Sequence, residues 1–119
     1  IKLSSLNGKV ILVDFWTAAR TESRLLNAEL AEVYSELHPN GFEIYQVSLD
    51  NNKSLWVNAV QQQKLPWISV SDLSGVNSPT ARMYNITNLP ANVLIDRQGN
   101  IVARNVPVER LAAEVRKLL

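Results

Sequence analysis

The side chains best suited to catalysis are scarce in this chain of 119 residues. It has no cysteine and a single histidine, His38. That excludes a disulfide framework, a thiol couple, a cysteine nucleophile and a thiolate metal site, and it leaves no cluster of nitrogen ligands. No metal and no cofactor is implied. The remaining candidates are an acid, Asp14, inside the apolar run Val10 to Trp16, and the polar stretch Arg20-Thr21-Glu22-Ser23 just beyond it; Pro90, on its own, reads as the start of an edge strand. If Asp14 is buried without a cation, desolvation raises its pKa. The expected arrangement is a polar side chain paired with a backbone group, a Lys or an Arg. Arg20 is permanently cationic and non-nucleophilic, so at a helix start it must point into solvent or pair with Glu22. Trp56, Trp67 and the Pro66 between them read as packing, His38 as a solvated helix end, and Arg97, Arg104, Arg110 and Arg116 as a solvated face.

These residues need a scaffold, and the periodicity supplies one. Lys9 to Trp16 is apolar on both faces and reads as a buried central strand. Glu22 to Leu37 turns helical: Leu26, Leu30, Val33, Tyr34 and Leu37 share a face, and His38-Pro39-Asn40-Gly41 stops it. Gly41 to Leu49 is a second strand, closed by Asp50-Asn51-Asn52, and Ser54 to Lys64 is a second helix. A short strand over Leu65 to Val70 and a short helix over Ser78 to Tyr84 follow. Val93 to Asp96 and Ile101 to Arg104 form a hairpin across Arg97-Gln98-Gly99-Asn100. Val108 to Leu119 is a closing helix with Leu111, Ala112, Val115 and Leu118 facing one way. Strands alternating with helices, then a hairpin, predict an α/β fold with a central mixed β-sheet and helices on both faces.

Composition narrows the function. The hydrophobic share is 46% and the charged share 19%, with Lys and Arg totalling 12 against 11 Asp and Glu. One soluble globular domain over 1–119 is expected, able to bury roughly two thirds of its unfolded surface. The charges are interspersed, so no one-sided positive field points to nucleic acid or an anionic lipid surface. The longest aliphatic run, Val10 to Val13, falls far short of the roughly 20 apolar residues that cross a bilayer. A start at Ile1 without a signal sequence is expected of a piece of a longer protein.

Three segments, in order, resemble one family. Val10-Ile11-Leu12-Val13-Asp14-Phe15-Trp16-Thr17-Ala18 is similar to the first core strand of a thioredoxin-fold protein. Gly41-Phe42-Glu43-Ile44 through Val47-Ser48-Leu49-Asp50 resembles the second core strand of the TlpA/ResA-like, AhpC/TSA-related thiol-disulfide oxidoreductases of the bacterial cell envelope. Tyr84 to Asp96, continued by Gly99-Asn100-Ile101-Val102, is similar to their proline loop and terminal hairpin. The resemblance implies a thioredoxin fold over nearly the whole chain. It places the family's Cys-X-X-Cys pair at Arg20-Thr21-Glu22-Ser23, where neither cysteine remains, so family-type dithiol exchange is impossible and no catalytic residue is carried over. Ser23 can hydrogen-bond but cannot form a mixed disulfide. The resemblance further implies that Asp14 stands where a buried acid serves the family, that Leu89-Pro90 is a cis-proline peptide, and that Trp16, Asn88, Leu89, Pro90 and Ala91 line a substrate groove. The expected role is that of a redox-inactive thioredoxin-like domain in the bacterial envelope or periplasm. It would bind an extended peptide or partner protein at the cis-proline groove, or position other domains of the parent. The alternative is a thiol-disulfide oxidoreductase whose cysteines lie elsewhere or were lost from this chain.

Overall fold

A computed structural model describes residues 6, 8–71, 73, 78–84, 89 and 91–119. The elements run β1 (Val10–Trp16), α1 (Thr21–Leu37), a 3-10 turn (His38–Asn40), β2 (Phe42–Ser48), α2 (Lys53–Gln63), β3 (Ile68–Val70), α3 (Pro79–Met83), β4 (Ala91–Ile95), β5 (Ile101–Arg104) and α4 (Val108–Leu118). The five strands are ordered β3-β2-β1-β4-β5. β1 and β3 both run parallel to β2, while β4 is antiparallel to β1 and β5 antiparallel to β4. The mixed sheet is therefore the one the sequence predicts, with β1 in the middle.

Every residue of β1 and β2 is buried. That follows from period-two alternation in a sheet covered on both sides. Val10 and Leu12 point to a core completed by Leu30, Tyr34 and Leu37 of α1 and by Leu111 and Val115 of α4. Trp16, on the same side of β1, packs with Ala18 and with Ala59 of α2. Ile11, Val13 and Phe15 point the other way, to Ala81 of α3 and to Tyr84. The even positions of β1 thus face the helix that starts at Thr21, and Asp14 is one of them.

Local chemistry sets the ends. Gly41, at φ 102°, closes the 3-10 turn that ends α1. Asn52 caps α2 by accepting from the Leu55 amide at 3.1 Å, and Lys64, expected inside that helix, is instead its left-handed terminus at φ 51°. β3 keeps only Ile68–Val70 of the longer stretch expected, and β4 begins at Ala91, two residues before the predicted start. Two arginines expected on a solvated face are struts. Arg97 donates to the carbonyls of Gly8 (2.9 Å) and Asn40 (3.1 Å), and Arg104 donates to the carbonyl of Tyr84 (2.7 Å). Arg116 pairs with Glu36, joining α4 to α1.

Gly41 and Gly99 both have positive φ, at 102° and 89°. A Cβ on Gly99 meets nothing within 4 Å, whereas one on Gly41 lies 2.8 Å from the Arg97 guanidinium. Gly99→Ala should therefore cost only the backbone term of about 1–2 kcal/mol. Gly41→Ala should cost about 1 kcal/mol more, because displacing the guanidinium gives up its carbonyl bonds. Urea unfolding of the two variants against wild type checks the order.

Candidate functional site

The β1–α1 connection is held by one carboxylate. Asp50, just past the end of β2 and 4% exposed, takes the Ala18 amide on both oxygens, at 3.1 and 3.0 Å. The Thr17 hydroxyl donates to it at 2.7 Å and the Ser48 hydroxyl at 2.5 Å. Three donors making four contacts with a buried carboxylate satisfy the charge and fix where the chain leaves β1. The sequence marks this residue only as the close of a strand. The signal available is an acid two residues beyond the end of the parallel neighbour of β1, where a loop amide needs an acceptor.

Beyond that clamp, Arg20 is the N-cap of α1 but caps nothing with its side chain. It neither points freely into solvent nor pairs with Glu22 as expected. Its Nη1 donates to the carbonyl of Leu89 at 3.1 Å, so the guanidinium bridges to the loop that precedes β4. A charged donor makes a stronger bond to a carbonyl than a neutral one does, and this bond links the start of α1 to that loop. Glu22 is exposed in the first turn, where an acid complements the helix dipole. Ser23, at the start of α1 near Arg20, is 9% exposed.

The predicted groove residues separate. Trp16 is 3% exposed and packed inside, so it presents no surface to a substrate; β1 carries it to the even-numbered face, under α2. Ala91 is buried as the first residue of β4, paired with Phe15. Leu89 is half-buried and bonded to Arg20. Asn88 and Pro90, and with Pro90 the cis peptide, lie outside the described residues. Trp67 and Trp56 are packing residues as read: Trp67 is buried, and Trp56, half-buried, donates to the Ser69 hydroxyl at 3.2 Å. His38 is more engaged than a solvated helix end, stacking on Tyr34 at 4.5 Å and bonding the Phe42 carbonyl at 2.9 Å.

Asp14 is buried, as foreseen, but its partner is neither backbone nor cation. Gln46, its neighbour in register on β2, donates Nε2 to Asp14 Oδ2 at 3.0 Å. The same amide nitrogen donates to Asn27 Oδ1 at 2.8 Å, and Gln46 Oε1 accepts from the Trp67 indole at 2.9 Å. An indole N–H can only donate, so it fixes which end of the Gln46 amide is oxygen, and the amide must then present its nitrogen to Asp14. Burial with only a neutral donor for company pushes the Asp14 carboxyl up to about 7. Asp14 also borders a cleft of ≈ 160 Å³ between Leu26 and Leu30 of α1, Ala91 and Asn92 of β4, and the 105–108 connection. Among the described residues, no three His, Cys, Asp or Glu side chains gather to hold a metal ion.

This fold and corner agree with what the chain is similar to. A thioredoxin-like family model matches residues 7–101, and the chain belongs to that family. It is 32% identical to a thiol-disulfide oxidoreductase from Bacteroides fragilis, with a TM-score of 0.87 over 95% of this chain and 83% of that one. A thiol:disulfide interchange protein from a Bacteroides species is 31% identical, with a TM-score of 0.86 over 98% of this chain and 77% of that one. Human nucleoredoxin is 29% identical over 117 residues, which is 96% of this chain and 26% of that protein. The chain spans no more than about a quarter of the curated relatives it matches, 18% of one from Arabidopsis thaliana and 26% of the human protein. The relatives therefore define a thiol-disulfide oxidoreductase family with thioredoxin-like architecture, and this member has no cysteine.

The raised pKa has a sign. Between the ordinary carboxylate range, 3.8, and about 7, the folded chain holds a proton on Asp14 that the unfolded chain has lost. Stability contributed by the protonated acid is therefore full below the lower value and falls as pH rises through the window. Asp14→Asn should flatten that fall and be more stable than wild type at about pH 8 by on the order of a few kcal/mol. Urea unfolding across the pH range measures it; parallel profiles for the two proteins would refute the shift.

Proposed function

We propose that this chain is a redox-inactive thioredoxin-like domain of a bacterial envelope protein, which binds a partner at the corner where the family resemblance places the Cys-X-X-Cys pair. The observation that carries this reading is the Arg20 side chain. It stands at the first position of the lost motif, bonds the Leu89 carbonyl and leaves no sulfur to attack or resolve a disulfide. The corner is nonetheless built: Asp50 still fixes the Thr17–Ala18 turn on its buried oxygens. A clamp of that kind maintains a surface. Around it the first turns of α1 expose Arg20, Glu22, Arg24 and the apolar Leu25, the last at 69%. Two cations, one anion and an apolar contact form a mixed surface suited to a protein or extended peptide. Envelope location is supported by the Bacteroides oxidoreductases that the chain resembles. No helix among the described residues is long and apolar enough to cross a membrane.

The length of the curated relatives favours a second reading. Since the chain matches only a fraction of them, the parent protein can be a thiol-disulfide oxidoreductase whose cysteines sit in another domain. The sequence of the intact parent separates the two.

Two measurements test the proposal. In an insulin-reduction assay the chain should run at the thiol-only background, and the double variant Arg20→Cys with Ser23→Cys should rise partway toward an active relative; turnover by the unaltered chain would end the redox-inactive reading. In amide NMR, extended peptides should shift Ala18 to Arg24 and Leu89. Arg20→Ala, which frees the Leu89 carbonyl, should alter that response while changing stability by less than about 1 kcal/mol. Silence at this corner with every peptide would leave the domain without the proposed binding role.

A further inference from the structure

The cleft beside Asp14 holds the one ionisable group among its lining residues, and that group is half-partnered. Oδ2 accepts from Gln46, whereas Oδ1 accepts from none of the described residues. From the elements around it come Leu26 and Leu30 of α1, Asn92 of β4 and Val106 before α4, none of them titratable; Gln46 of β2 is neutral too. Asp14 keeps 9% of its surface, so the carboxyl is covered but not sealed. The rim is rigid. Asn92 exchanges bonds with the Val106 backbone through both side-chain polar atoms, at 3.0 and 2.9 Å, and its backbone amide donates to Asn105 Oδ1 at 3.3 Å. Asn105 is held at φ 53°, a left-handed conformation that asparagine tolerates better than most residues. With the Asn92 side chain spent on the Val106 backbone, the carboxyl is the acidic group a ligand would meet beside the apolar Leu26, Leu30 and Val106.

We infer that this cleft is a site for a primary ammonium group on a short aliphatic stem, with the Asp14 carboxylate as its counter-ion. An unpaired carboxylate in an apolar setting must take up a proton or a cation. An ammonium ion brings the charge the protein itself does not place there, and its attraction is far stronger where water is thin. The alkyl stem fits between Leu26, Leu30 and Val106. An ammonium on such a stem is carried by a lysine side chain of a bound partner or by a free alkylamine. The inference rests on the reading that this side of the domain binds partners only insofar as the lysine source is concerned.

The test uses amide NMR on the whole chain at constant ionic strength, with n-butylammonium chloride, with blocked lysine methylamide and with n-butanol as the uncharged isostere. Saturable shifts at Asn92, Asn105, Val106 and Val108 are expected with one or both ammonium probes, the tighter one naming the source. Because the carboxylate form binds, affinity should rise more than about tenfold from about pH 5.5 to about pH 8.5. It should be lost in Asp14→Asn. Leu26→Phe, which fills the cleft and keeps the carboxyl, should also abolish it, so a failure of the first variant to fold leaves the question decidable. Equal binding of butanol, affinity that is flat or falls with pH, or no saturable shift overturns the inference. Peptide binding at Arg20 and Leu89 with silent ammonium probes would sink this inference alone. Ammonium binding without any peptide response would sink the partner-binding proposal and leave this one standing.

Discussion

A buried carboxyl answered by a neutral amide shapes the interior of this protein. Gln46 is wholly buried, and such an amide is tolerated only if both its ends are satisfied. The Trp67 indole supplies the donor at one end; Asp14 and Asn27 supply acceptors at the other. This ties β1, β2, α1 and the segment before β3 together in a polar seam through an otherwise apolar core. It also leaves Asp14 without a cation, so desolvation by burial raises its titration and only the Gln46 bond works against that rise. Removing one member of the seam leaves the others unpaired, so the seam specifies the packing of α1 on the sheet as well as stabilising it.

The same face shows what the loss of sulfur does and does not change. In this family architecture a helix N-terminus offers free N–H groups and a partial positive charge to a thiolate. Here the helix still begins where β1 ends, and Asp50 still fixes the turn into it. The positive end is balanced by Glu22 rather than by a thiolate, while Arg20 is drawn across to Leu89. The scaffold that aimed the chemistry persists, and its polar groups are re-paired among themselves. What remains is a shaped, charged corner next to a cleft with an unmatched acid.

The sequence made the frame readable because burial on both sides of β1 and β2 writes itself as continuous apolar runs, and because Leu26, Leu30, Tyr34 and Leu37 repeat at helical spacing. The ends were less legible. Lys64 terminates α2 through a backbone conformation that no local pattern announces, and β3 is cut to three residues by its place at the sheet edge. The site was legible as a position and opaque as a network. Asp14 meets Gln46 32 residues away and Arg20 meets Leu89 69 residues away, contacts that strand register and loop closure create rather than local spacing. One hint was present: Asp14 and Gln46 are polar residues in neighbouring apolar strands. Once β1 and β2 are placed side by side, both fall on the same face. Trp16 is expected at the groove only through the family resemblance, and strand parity is what turns it under α2.

The polar seam and the cleft beside it turn on the state of one proton, and carboxyl-carbon NMR of Asp14 across the pH range reads it directly. The structure predicts a midpoint near 7, with the side-chain amide of Gln46 shifting in step as its acceptor changes charge. A midpoint at or below the ordinary value of 3.8 would mean that a cation or further donors satisfy the acid, and the account of the seam would fail.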